Sequence, residues 1–453
     1  MIAAGKIVFL ITFFALVVQG LIFFIDDPDE LTFLPLVLIL AGIAGYLLRE
    51  RGRDPDAVFQ SDIFFWAYSV RLWMGMIMYG WGLKDLFGDE DASGYVAGWG
   101  MANNWYQNGF DGFAADLVRV FVERQNEGQA LIWAIPTFIA GGESRMIVST
   151  VNSFAGALLV IVVFRMTRRV FDSETARIAA ILVAFWMSHI LLSATTAKEI
   201  LVIFGEWFVL FMLIRNAKGF SPKDAFAAVP ALLSVFIMRF YAVYLLAAAA
   251  FFRFLVASRQ NIIRNTIFGS VIVSSVMLFL GASGAIQRDF QRIETLNERV
   301  DSWREGMAAT TGSGVEIYSE IESPTLAIPV ATVYFFFAPF PWEAFSGSAR
   351  NAFGAAENIF IIAILIIGFP ALKIVFKAKF VEMAPIFAFC VLYAGMHIWG
   401  LANVGLAWRH KQTIMPLFFM LVAVGITQRH VGWDAITGRS RRRRKDLNIV
   451  RAN

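Results

Sequence analysis

Cysteine is nearly missing from this chain. Its 453 residues include one, Cys390, inside an apolar run. One thiol excludes a disulfide framework and a cysteine-based metal centre within the chain. Charge is also sparse, at 16% Asp, Glu, Lys and Arg, against about 25% in an ordinary soluble domain. Histidine is rare, and His189, His397 and His430 are scattered without the spacing of a metal site. No glycine-rich phosphate loop, dinucleotide fingerprint, G-x-S-x-G elbow or HExxH helix occurs. Nor does the chain show the internal repeat that marks many transporters.

What it has instead is apolar length. Hydrophobic residues make up 58% of the chain, and runs of roughly 17–22 of them, each near bilayer thickness, recur from end to end. The expected fold is therefore all-α, a polytopic membrane protein with about 12 transmembrane helices, rather than the short alternating segments of a β-barrel. The first run, 7–25, has no small-residue cleavage site and is followed by Asp26-Asp27-Pro28-Asp29-Glu30, so it reads as a retained helix. Further spans are expected near 31–48, 62–83, 146–164, 178–194, 200–214, 225–238, 242–256, 266–283, 358–376, 381–400 and 412–427. Segment 326–340 is apolar but short and reads as re-entrant. The chain thus divides into N-terminal helices (1–87), an external loop with amphipathic helices (88–145), central helices (146–283), an external loop with the re-entrant segment (284–357), C-terminal helices (358–430) and a basic tail (431–453).

Loop charge sets the expected orientation. Basic loops at Arg49–Arg53, Arg165–Arg177, Arg215–Lys223, Arg259–Arg264 and Lys373–Lys379 alternate with loops poor in Lys and Arg. The positive-inside rule then puts both termini in the cytoplasm of a bacterial-type plasma membrane. The tail run Arg439–Lys445 suits anionic lipid headgroups better than nucleic acid.

Some charges break this pattern. Asp89, Glu90 and Asp91 end the third span on the external side, and 93–145 then stays outside with two Trp- and Phe-rich amphipathic stretches, 95–106 and 113–124. Arg71 lies within a span, while Lys198-Glu199, Arg239 with Tyr241, and Arg409-His410-Lys411 map to external helix ends. Each is costly there and needs a reason. Cations clamp a phosphate or pyrophosphate and stabilise a leaving group, and a carboxylate accepts the proton of an attacking hydroxyl. Converged on one external cavity, these groups suit transfer of a sugar from a polyprenyl-phosphate carrier to a glycan or lipid acceptor.

The run Gly88–Tyr95, with its acid four residues before a tyrosine, resembles the acidic external loop of the GT-C superfamily of polytopic glycosyltransferases, as in the protein mannosyltransferase and aminoarabinose transferase groups. Arg145, Arg168-Arg169-Val170-Phe171, Ser193 and Glu199 are similar in style, and Arg409 resembles a basic residue that such enzymes use on the carrier phosphate. The resemblance implies Asp91 or Asp89 as the base, or as the residue that positions acceptor and any divalent cation, with Glu90 beside them. It implies Tyr95 in the same pocket, and Arg239, Arg409, His410 and Lys411 on the carrier phosphate with Lys198 assisting. Two further readings remain open. Lys198-Glu199, Arg239-Phe240-Tyr241 and Pro339-Phe340-Pro341-Trp342 are similar to membrane proteins of exopolysaccharide clusters, which keeps an O-antigen-polymerase- or ligase-like enzyme in play. A lipid or polysaccharide transporter without chemistry is the third, and it requires charges lining a path to both faces.

Overall fold

The computed structural model describes residues 4–24, 27–49, 54–84, 92–123, 126–215, 222–257, 324–343, 349–401 and 403–427. These form fifteen α-helices: α1 (Ala4–Phe23), α2 (Phe33–Leu47), α3 (Ala57–Tyr79), α4 (Ala92–Glu123, interrupted at Gly109), α5 (Asn126–Ala140), α6 (Arg145–Val170), α7 (Ser173–Phe185), α8 (Met187–Ala194), α9 (Glu199–Arg215), α10 (Pro222–Met238), α11 (Phe240–Ala257), α12 (Pro324–Phe337), α13 (Ala349–Ala378), α14 (Phe380–Trp399) and α15 (Val404–Thr427). No strand occurs among the described residues.

Six of these segments are long and apolar enough to cross a bilayer, or seven if the bent pair α7–α8 is one span. About twelve were expected. Of the remaining expected spans, those near 225–238 and 242–256 are shorter apolar helices; α12, in the segment expected to be re-entrant, has 14 residues and extends about 21 Å, less than the roughly 30 Å hydrocarbon core. The expected span 266–283 lies outside the described residues.

Burial sorts the helices. α6 and α15 are largely enclosed, whereas α1, α2 and α13 turn Phe14, Ile39, Ile366 and Phe369 outward. Helices apolar all round can fill a core or face lipid, because both surroundings are hydrocarbon-like. α3, α6, α7 and α9 pack together as the centre, with α15 against α7 and α13.

The two ends of this bundle differ. At one end Arg168 reaches Asp54 at 2.7 Å and Asp56 at 3.1 Å, and Arg177 reaches Asp56 at 2.6 Å. Ser173 donates to Asp56, Arg165 donates to Gln60, and Arg215 pairs with Asp224. The hydrogen bond from Arg168 leads in holding the Asp54 carboxyl down at about 2. Burial opposes ionisation of Asp56, but Ser173, Arg177 and Arg168 together bring it below its ordinary value. Helix directions put the starts of α6, α9 and α15 and the end of α10 at the opposite end.

Three boundaries differ from the sequence reading, the first for a polar reason. The expected helix 178–194 is two helices meeting at 50°. Trp186 is extended at the break, Arg71 takes the carbonyls of Val183 and Ala184 that the end of α7 leaves over, and Glu357 accepts from the Ser188 amide at the start of α8. Helix ends inside a membrane require such partners. Arg71 also donates to Ala67 O and Ser193 Oγ, so this intramembrane charge is a buried helix cap. Second, α15 begins at Val404, so Trp408–Lys411 lie within a helix rather than in the expected external turn before 412. Third, α13 begins at Ala349, nine residues before the expected start.

Candidate functional site

The site is built around the turn Thr195–Lys198 and the first residue of α9, Glu199. Asn152 of α6 donates to the carbonyls of Thr195 and Ala197 at 2.9 and 2.8 Å, which fixes this turn against α6. Glu199 is 3% exposed, and its Oε1 lies 3.6 Å from both Arg239 Nη2 and Arg409 Nη1. Arg239 occupies the break between α10 and α11 and Arg409 the second turn of α15, so three separate helix ends converge on one carboxylate. Lys198, half-buried, is next to it in the chain. Two guanidiniums and an ammonium around one carboxylate leave net positive charge at this end, which suits an anion with more than one oxygen.

Below Arg239 runs a chain of polar groups. Arg239 Nη1 donates to Tyr393 Oη at 2.9 Å, Thr413 Oγ1 donates to the same oxygen at 3.2 Å, and Tyr393 Oη pairs with His410 Nδ1 at 3.0 Å. His410 stacks on His397 with ring centroids 3.7 Å apart, and His397 Nε2 pairs with Tyr241 Oη at 3.4 Å. Glu206, two turns along α9, is fully buried, and neither carboxylate oxygen has a hydrogen-bond partner among the described residues.

The expected site residues therefore separate into groups. Glu199, Arg239, Tyr241, Arg409 and His410 come together. Lys411 faces other partners: its ammonium donates to Phe336 O, Ala338 O and Asn358 Oδ1, the last at 2.6 Å. Successive helical residues point about 100° apart, so adjacent residues 409, 410 and 411 serve Glu199, Tyr393 and the end of α12 respectively. Tyr95 is buried against Trp133 and Val148, with Leu201 packed alongside, which brings the start of α4 to the first turn of α9. Asp89, Glu90 and Asp91, and with them the proposed cation position at Asp89/Asp91, lie outside the described residues. No group of three or more His, Cys, Asp and Glu arranged for a metal occurs among the described residues.

Several participants escaped the sequence reading. Tyr393 and Thr413 sit in apolar helices and carry no local signal, and His397 was weighed only as a metal ligand; the packing of α14 on α11 and α15 reveals them. Glu206 had one available signal, a lone acid in the middle of an apolar helix. Gly128 is another. A Cβ there would run into the backbone of Ile237, so α5 meets the end of α10 just before Arg239 only because the residue is glycine.

Residues 128–282 match the sequence model of the dolichyl-phosphate-mannose-protein mannosyltransferase family. The matched stretch, about a third of the chain, includes Lys198, Glu199, Arg239 and Tyr241 but neither the acid run nor α15. The match implies a membrane glycosyltransferase of the GT-C type, with a sugar donor and an acceptor, and agrees with a multi-pass chain of apolar helices. No curated protein matches the chain.

Proposed function

We propose that the protein transfers a sugar from a polyprenyl-phosphate-linked donor to a glycan or lipid acceptor on the extracytoplasmic face of a plasma membrane, in cell-envelope or exopolysaccharide synthesis. The observation that carries this reading is the convergence of Arg239 and Arg409 on Glu199 at one end of the bundle, both within 3.6 Å. In this reading the two arginines, with Lys198, bind the carrier phosphate and stabilise it as the leaving group. His410 and Tyr241 hold their surroundings, and Lys411 keeps α15 registered against α12 and α13. Asp91, with Asp89 in reserve and Glu90 beside them, accepts the proton of the attacking acceptor hydroxyl. The bond from the anomeric carbon to the phosphate oxygen breaks as the new glycosidic bond forms, and the phosphate departs with its charge held by the arginines. A divalent cation at Asp89/Asp91 is compatible with those side chains, and no step is assigned to it.

A transfer assay on purified protein in lipid, comparing Asp91→Asn with Arg409→Ala, tests this. Loss of transfer in both, with normal folding, is expected. Full activity of Asp91→Asn together with loss in Arg409→Ala would replace this reading by a polymerase- or ligase-like enzyme acting on lipid pyrophosphate, in which cations outweigh acids.

A further inference from the structure

Four buried polar atoms in one patch lack hydrogen-bond partners among the described residues: Gln129 Nε2, Trp133 Nε1, Asn152 Oδ1 and Glu199 Oε2. Each side chain belongs to a residue at most 3% exposed. They are neighbours through their packing. Trp133 touches Tyr95 and Val148, with Val151 and Leu201 alongside, and Gln129 is one helical turn before Trp133. Asn152 lies one helical turn past Val148, on the same face of α6, and is bonded to the turn that leads into Glu199. An unpaired buried polar group costs about 1–3 kcal/mol, and native proteins keep few of them. Four together indicate a ligand whose groups complete them.

The mixture of atoms defines that ligand's chemistry. Two are donors and two are acceptors. A phosphate would satisfy the donors and be repelled by the acceptors, and an ammonium would do the reverse. Hydroxyl groups donate and accept at once, so a polyhydroxylated ring satisfies all four. Tyr95 and Trp133 supply aromatic surface for the apolar face of such a ring. Glu199 links this patch to the arginines, because Oε1 lies against Arg239 and Arg409 while Oε2 is the unpartnered atom. In a glycosyl phosphate the ring and the phosphate are one oxygen apart, and here one carboxylate stands between the two matching sets of groups.

We propose that Gln129, Trp133, Asn152 and Glu199 form a saccharide subsite that takes the sugar ring of the lipid-linked donor, with its phosphate on Arg239 and Arg409. This inference rests on the donor reading above. The test measures binding of two probes to the full-length protein in nanodiscs: a polyprenyl phosphate, and the same lipid carrying a sugar, the best-bound of a panel of hexoses and pentoses. Wild type prefers the sugar-bearing lipid. Gln129→Met and Trp133→Phe keep size and remove the donors, and each lowers that preference roughly 3- to 10-fold while leaving affinity for the bare lipid phosphate within about twofold. A wild type that binds both probes equally, or variants that weaken both equally, overturns the subsite and leaves the phosphate reading standing. Equal binding is also the outcome if ordered waters alone occupy the patch. A wild type that binds neither probe overturns the donor reading, and the subsite with it.

Discussion

Replacing Arg239 by Met keeps a flexible chain of similar length and removes the guanidinium. Among the described residues, that group reaches Glu199 at 3.6 Å and Tyr393 Oη at 2.9 Å. At 3.6 Å the gross Coulomb attraction is about 4–5 kcal/mol for an effective dielectric constant near 20. Breaking a buried pair by deleting one partner typically costs about 3–5 kcal/mol. Glu199 keeps Arg409 at the same distance, so part of its charge stays matched, while Tyr393 loses a donor worth about 1 kcal/mol. A net loss of about 2–4 kcal/mol follows. Glu199→Gln removes the charge that Arg239→Met strands, so the double variant is more stable than the sum of the single losses implies, by about 1–3 kcal/mol. Equilibrium unfolding by SDS in mixed micelles reads the four corners of this cycle. In parallel, affinity for a bare polyprenyl phosphate falls about 10- to 100-fold in Arg239→Met, the value of one charge-assisted contact. Single effects that add within about 0.5 kcal/mol, or an Arg239→Met protein with wild-type phosphate affinity, would refute the convergence on which the site is built.

Other predictions concern residues with separable roles. Lys411→Met leaves Phe336 O, Ala338 O and Asn358 Oδ1 without their shared donor and destabilises the fold by about 3–5 kcal/mol, whereas Arg409→Met acts mainly on transfer. Unfolding and transfer measured on both variants distinguish these outcomes. In Gly156→Ala the new Cβ meets Ser193 Oγ at 2.5 Å and Arg71 Nε at 2.7 Å, which strains the cap on the end of α7 by about 1–3 kcal/mol; thermal melting checks it, and a neutral result would remove Arg71 from that role. The Asp54 carboxyl, ordinarily at 3.8, is held at about 2. Its contribution to stability is therefore complete above about pH 4 and is lost as the pH falls through about 2. Unfolding midpoints in Asp54→Ala are expected to lack the part of the acid sensitivity that falls in that window.

The apolar runs, the helical class and the clustering of charge were legible because hydrophobic length and loop charge are local properties of a chain in a membrane. Tyr95, Glu199, Arg239 and Arg409 were legible as exceptions, since a charge or polar ring at a helix end in lipid stands out from its neighbours. Sequence could not show that Arg71 is a cap, because the carbonyls it serves are more than a hundred residues away, on α7. Nor could it separate Arg409, His410 and Lys411, which are adjacent in the chain. Once Val404 starts the helix, the helical turn sends them to three different partners.

By itself, then, the sequence determined that this chain is an all-helical membrane protein with its unusual charges near helix ends. Burial of apolar length and the cost of charge in hydrocarbon suffice for that. Tertiary structure alone decided which of those charges meet. It brought Arg239 and Arg409 to Glu199, and it buried Gln129, Trp133 and Asn152 with bonding capacity to spare. The reason is physical: hydrogen bonds and ion pairs act over a few ångströms, and only packing brings residues so far apart in the chain within that range.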